Sequence, residues 1–136
     1  MSQIVPYRIS KINTRQFAVF PNNFTSENVE VTTTMDFNVK KKLDEIRCIC
    51  EVRYQNQEKV VMTVEVACFF GISPDGVETL KRDNRISLDF LRYMGAIVVG
   101  IMRGIIHAKT EGTVVNQIVL PPINLDKVIT EDMILQ

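Results

Sequence analysis

Four side chains in this sequence could ligate a metal or serve as nucleophile and base: Cys48, Cys50, Cys68 and the single histidine, His107. Two cysteines two residues apart on an extended segment, a third of matching parity on the next, and an imidazole would complete a tetrahedral zinc set. The pattern around them argues otherwise. All three cysteines fall in the apolar register of their segments, where a free thiol behaves as a small hydrophobe. His107 lies in the last turn of a helix, a position that favours a cation, and no carboxylate is spaced to make it a general base. No glycine-rich loop follows a strand to cradle phosphates. Gly95, Gly100 and Gly104 instead punctuate one helix, which points to close helix–helix approach. The sequence therefore predicts no catalytic residue, no metal site and no cofactor; this is not an enzyme pattern.

The elements that carry these residues read as strands first and helices later. From Val29 to Val39 the odd positions are Val29, Val31, Thr33, Met35, Phe37 and Val39, and the even ones are polar. A period of two makes one apolar and one wet face. Ile46, Cys48, Cys50, Val52 and Tyr54 form one side of the next strand, after the charged turn of Lys40, Lys41 and Lys42. Residues 59–70 put Val60, Met62, Val64, Val66, Cys68 and Phe70 on one side, with Val61 and Phe69 among the residues opposite. Residues 7–20 make a weaker strand whose alternation breaks near 12–14. Short polar loops between consecutive strands predict a four-stranded antiparallel meander.

After Gly71 the pattern changes. Ser73-Pro74-Asp75-Gly76 reads as a turn, and residues 77–86 as a charged connection. Ser87 is a helix N-cap with Asp89 in the first turn. The helix runs to about Lys109 and stops at Gly112. It is apolar nearly all round, the mark of a helix buried on more than one side. An apolar connector (residues 114–120) and Pro121-Pro122 lead to a short terminal helix capped by Asn124 and bearing Leu125, Val128, Ile129 and Met133. The fold class is α+β, one domain over residues 1–136: a four-stranded antiparallel sheet, a long helix, then a short C-terminal helix.

Composition narrows the function classes. The 136 residues are 46% hydrophobic and 24% charged, a balance that folds rather than stays disordered. Sixteen basic residues cancel sixteen acidic ones, so no net field favours nucleic acid or anionic lipid. The start of the chain does not read as a signal peptide, and the apolar run at 94–106 contains Arg103 and falls short of a membrane span. A cytoplasmic protein is expected, with no membrane insertion.

Surface area then suggests company. Strands of about 12 residues span roughly 40 Å, and four of them about 19 Å across. One helix roughly 35 Å long and 10–12 Å wide covers part of that width. Several large apolar side chains left wet at about 1.5–3 kcal/mol each would be a liability. A homo-oligomer is expected, its long helices packed between facing sheets through Met94, Val98, Ile101, Met102 and Ile105.

Specific residues add a resemblance over about residues 7–129. Tyr7-Arg8-Ile9-Ser10-Lys11-Ile12-Asn13-Thr14-Arg15 with Phe20-Pro21 resembles the first strand of the SecB protein-export chaperones. Met94-Gly95-Ala96 and Glu111-Gly112-Thr113 resemble the ends of that family's long helix, and Leu120-Pro121-Pro122-Ile123-Asn124-Leu125-Asp126 its signature before the last helix. The resemblance implies an ATP-independent holdase, a homotetramer built as a dimer of dimers, that binds unfolded polypeptides in apolar grooves. By position it implies client contacts at Phe20, Phe24, Phe37, Leu125 and Ile129. Export members dock the SecA translocase through acidic residues on the outer sheet face. Glu65 matches one of these, but Gln16 and Phe20 occupy two others, which disfavours SecA as partner. SecB-like proteins that protect antitoxins, and a non-enzymatic adaptor for one folded partner, are the alternatives.

Overall fold

The computed structural model describes residues 5–25, 29–117 and 120–135; part of the 114–120 connector and the first four residues lie outside them. Its frame is a sheet of β1 (Tyr7–Val19), β2 (Val29–Val39), β3 (Glu45–Asn56) and β4 (Lys59–Ile72). All pairings are antiparallel. The helices are α1 (Pro74–Asp83), α2 (Leu88–Thr110) and the single turn α3 (Leu125–Val128). A small second sheet joins β5 (Arg85–Ile86) to β6 (Met133–Ile134).

The strands are those expected, but the sheet is not a meander. Its order is β1-β4-β3-β2, so the loop after β1 crosses from one edge to the other. Hairpins fix β2-β3-β4, and β1 then completes β4 on its free side. The reason lies in β4 itself: Val61 and Ala67 on its outer side are buried along with Met62, Val64, Val66, Cys68 and Phe70 on the inner. A strand apolar on both faces needs neighbours on both edges. β1 is bent by register shifts between Ile9 and Lys11 and between Thr14 and Gln16, which is why its alternation breaks.

Residues 74–83 form a helix where a turn and connection were expected. Ser73 Oγ accepts the Gly76 N–H (3.1 Å), Pro74 occupies the first turn, and Asn84 closes the end in the left-handed region (φ 53°). Ser-Pro-Asp-Gly is thus a start signal, and Leu80 anchors the helix in the core. α2 begins as expected, with Ser87 Oγ accepting from Phe90 N–H at 3.2 Å. It is 23 residues of helix, long and apolar enough for a membrane span, contrary to the expected shortfall. Its inner side is nonetheless spent on its own sheet. The terminal helix shrinks to one turn: Asn124 caps it, Ile129 ends it, and Met133 lies in β6.

The core is one layer between the inner sheet face and α2. Ile46, Cys48, Cys50, Val52 and Tyr54 of β3 meet Phe90, Met94, Val98 and Met102 there. Because α2 lies over β3 and β4, the β1 margin is uncovered. Ile9 and Ile12, which pair with the inward-facing Phe70 and Cys68, are 41% and 47% exposed.

Candidate apolar groove

The alternation of β2 places Val29, Val31, Met35, Phe37 and Val39 on the inner face, where all are half-buried. Opposite them runs α2, and between the two lies the segment of residues 120–129. Gly95 makes room for it. A methyl group built there would stand 2.9 Å from Ile129 Cδ1 and 3.4 Å from both Leu125 Cδ2 and Met35 Sδ. Leu125, Ile129, Met35 and Gly95 therefore converge, with Phe37 two residues along the same face of β2.

Two arginines hold that segment to the helix. Arg103 donates to the carbonyls of Leu120 and Pro121, the latter at 3.1 Å. Arg92 donates from Nε (3.1 Å) and Nη2 (2.9 Å) to the Ile129 carbonyl, and its Nη1 lies 3.4 Å from the Asp126 carboxylate. Eleven residues apart, about three helical turns, the two share a helix face. They pin both ends of a strap whose apolar side chains face β2. The signal was present in the arginine spacing, but the segment they grip could not be read from it. Tyr54 lies deep beneath; burial pushes its phenol up to about 12, against the opposing Arg103 charge. Its hydroxyl makes no hydrogen bond among the described residues.

The crossover loop sits at the other end of β2. Phe20 N–H donates to the Val61 carbonyl (2.8 Å), and Asn23 Nδ2 to that of Val60 (2.8 Å). Thr25 N–H donates to Asn56 Oδ1 at 2.9 Å, and Asn56 in turn pairs with Val29. Phe24 packs half-buried on the core, while Phe20 is 47% exposed. Val29 and Phe37 are roughly 27 Å apart along a strand. Phe37, Leu125 and Ile129 thus lie toward one end of the β2 row, Phe24 packs on the core near the other end, and Phe20 stands apart, at the end of β1 beside Val61 of β4. Ile129 is itself buried, only 6% exposed, as part of the strap.

The expected oligomer face needs correction. Met94, Val98 and Met102 are completely buried against the subunit's own sheet, so they belong to its core. A helix apolar all round does not announce which side turns inward. Ile101 and Ile105 are half-buried toward the outside. The stripe left open is Ala96, Gly100, Gly104 and Ala108, with Tyr93 above it; side chains built at Gly100 or Gly104 would meet nothing within 4 Å. Tyr93 leans on Tyr7, whose hydroxyl it meets at 3.3 Å, a bond that raises the Tyr7 pKa.

The remaining candidates are dispersed. Cys48 sits directly across from Cys68, and all three thiols are buried. Burial raises each, Cys50 to about 12 and Cys68 to about 11, which makes them inert. His107 is exposed, 3.9 Å from Glu111, and no metal-binding group forms among the described residues. Glu65 lies on the outer face in an ion pair with Arg15 (3.2 Å).

No protein-family model matches the sequence, and no characterised protein matches it by sequence. Its fold has a clear likeness. The SecB-like chaperone Rv1957 of Mycobacterium tuberculosis, solved with a ChAD peptide from the Rv1956 HigA1 antitoxin, superposes with a TM-score of 0.53 at 14% identity. The match covers 87% of this chain and 90% of that one. The fold is SecB-like.

Proposed function

We propose that this protein is an ATP-independent chaperone that holds non-native polypeptides along the strip between β2, the crossover loop and the strap. The observation that carries the reading is a long apolar row on β2, half-buried and bordered by Leu125 of the strap, on a SecB-like fold. Such a strip offers many weak contacts and no specific polar key, which suits sequence-tolerant binding of extended chains. Wrapping one client over several subunits raises avidity without new chemistry. Nothing catalytic is needed.

The holding unit is proposed to be a cytoplasmic homo-oligomer, a dimer of dimers. Uncovered Ile9, Ile12 and Tyr93, and the open glycines of α2, support association. The clients are polypeptides as a class, which takes in exported precursors and antitoxin segments of the kind seated on Rv1957. Delivery to SecA through Glu65 has little support beside Gln16 and Phe20. The test is light scattering of an aggregating, chemically unfolded protein with an equal number of subunits and no nucleotide. Suppression is expected; aggregation at the unassisted rate would overturn the proposal.

A further inference from the structure

The lysine triplet between β2 and β3 plays no part in the apolar strip. Lys40, Lys41 and Lys42 form the tip of that hairpin, and Leu43 N–H closes the turn by donating to the Lys40 carbonyl at 2.8 Å. Leu43 lies in the left-handed region, at φ 60°. Glycine or asparagine would hold that conformation with less strain. Leucine instead adds an apolar side chain that packs half-buried on the core.

Beside this turn is a pocket of about 350 Å³, in the size range of small-molecule sites. Its apolar lining comes from three separate elements: Leu43 of the turn, Leu80 of α1, and Ile134 and Leu135 in and after β6. Leu80 and Leu135 are buried, while Ile134 is 61% exposed. Lys40, Lys41 and Lys81 also line the pocket, and among the described residues no acidic side chain does. Lys40 reaches Glu45 at 3.2 Å and Lys81 reaches Glu78 at 3.9 Å, exposed pairs that water screens. Asn84 N–H donates to the Leu80 carbonyl (2.9 Å), and the Asn84 carbonyl accepts from Leu135 N–H (3.0 Å). With its backbone engaged, Asn84 has its carboxamide to offer a ligand.

We infer that this pocket binds a medium-chain fatty acid, an aliphatic tail carrying one carboxylate. The protein is neutral overall, yet three ammonium groups border one apolar hollow that holds no carboxylate of its own. The lysines call for an anion and the leucines for an alkyl tail. Inorganic phosphate would leave the leucines uncovered, and a neutral hydrocarbon would leave the lysines unanswered. Lysine suits such a head: its ammonium follows a carboxylate on a flexible stem, and the stem's methylenes extend the apolar wall. The bound acid would tie the β2–β3 turn to α1 and β6. The pocket shares only Val39 with the β2 row, so failure of the holding function would leave it untouched.

The test titrates the intact protein with hexanoate, octanoate and decanoate by calorimetry, below the concentrations at which they form micelles. One saturable site per subunit is expected, tightening about 3–4-fold for each added methylene. Octylamine, with a cation on the same length of tail, should bind at least about tenfold more weakly than octanoate. A Lys41→Glu, Lys81→Glu variant changes exposed groups only. It should bind decanoate at least about tenfold less tightly and prefer octylamine to octanoate, a reversal that a misfolded chain would not show. Phe20→Ser, on the far edge of the sheet, should bind decanoate as the parent does. No saturable binding, an affinity indifferent to tail length, or equal binding of octanoate and octylamine would overturn the proposal. So would a double variant that binds decanoate unchanged, or a loss in Phe20→Ser, which would put the acid on the holding strip instead.

Discussion

Gly95 and Ile129 are in contact across the strap: the space a single methyl group would need at Gly95 is taken by Ile129 Cδ1, 2.9 Å away. The missing side chain is what lets residues 125–129 lie against α2 beside Met35. Replacing Gly95 with leucine adds more volume than those flexible chain ends can yield. Overpacking of about 1–3 kcal/mol is expected, together with a lifted strap. Urea unfolding should show the loss, and an apolar dye should bind more strongly as Leu125 and Ile129 come into view.

Arg103→Met should loosen the same strap from its other end. It removes charge-assisted bonds to two carbonyls, a loss of about 1–3 kcal/mol. Hydrogen exchange should quicken over 120–129 and stay unchanged in β3 and β4. Arg92→Met should do the same at the Ile129 end.

Two substitutions on α2 separate the core face from the open one. Met102 is completely buried in the single chain, so Met102→Asp should cost more than about 4 kcal/mol and abolish folding. Gly100→Leu enters open space and should leave the subunit folded. If another copy closes on that stripe, its mass by light scattering should fall. A folded variant of unchanged mass would show that the stripe is not the interface.

Alkali should destabilise the fold through its thiols. Burial holds Cys48, Cys50 and Cys68 above the ordinary value of 9.0. The unfolded chain therefore releases these protons at lower pH than the folded one. Their contribution is complete below pH 9 and declines as pH rises toward about 11 to 12. The urea midpoint should drop between about pH 8 and pH 10.5, and a Cys48→Val, Cys50→Val, Cys68→Val triple variant should lose less.

Much of this architecture was legible because β2 and β3 alternate strictly and Ser87 caps a long apolar helix. What was hidden had physical causes. Hairpin logic pairs neighbours in sequence, so it could not see that β4, greasy on both faces, would draw β1 to its far edge. Ser73-Pro74 resembles a turn until Leu80 is given a core to enter. The inward face of α2 stayed ambiguous since Met102 and Ile101 are equally apolar. The strap was invisible because its register on α2 is set by Arg92 and Arg103 gripping backbone carbonyls, which carry no sequence signature.

The most direct measurement of the central claim exploits the absence of tryptophan in this chain. A permanently unfolded, tryptophan-bearing polypeptide can be titrated with the protein and its emission read without background. A saturable blue shift is expected, absent with the folded form of the same polypeptide and weakened in a Phe20→Ser, Phe37→Ser variant. No shift, or equal binding of the folded form, would contradict the account.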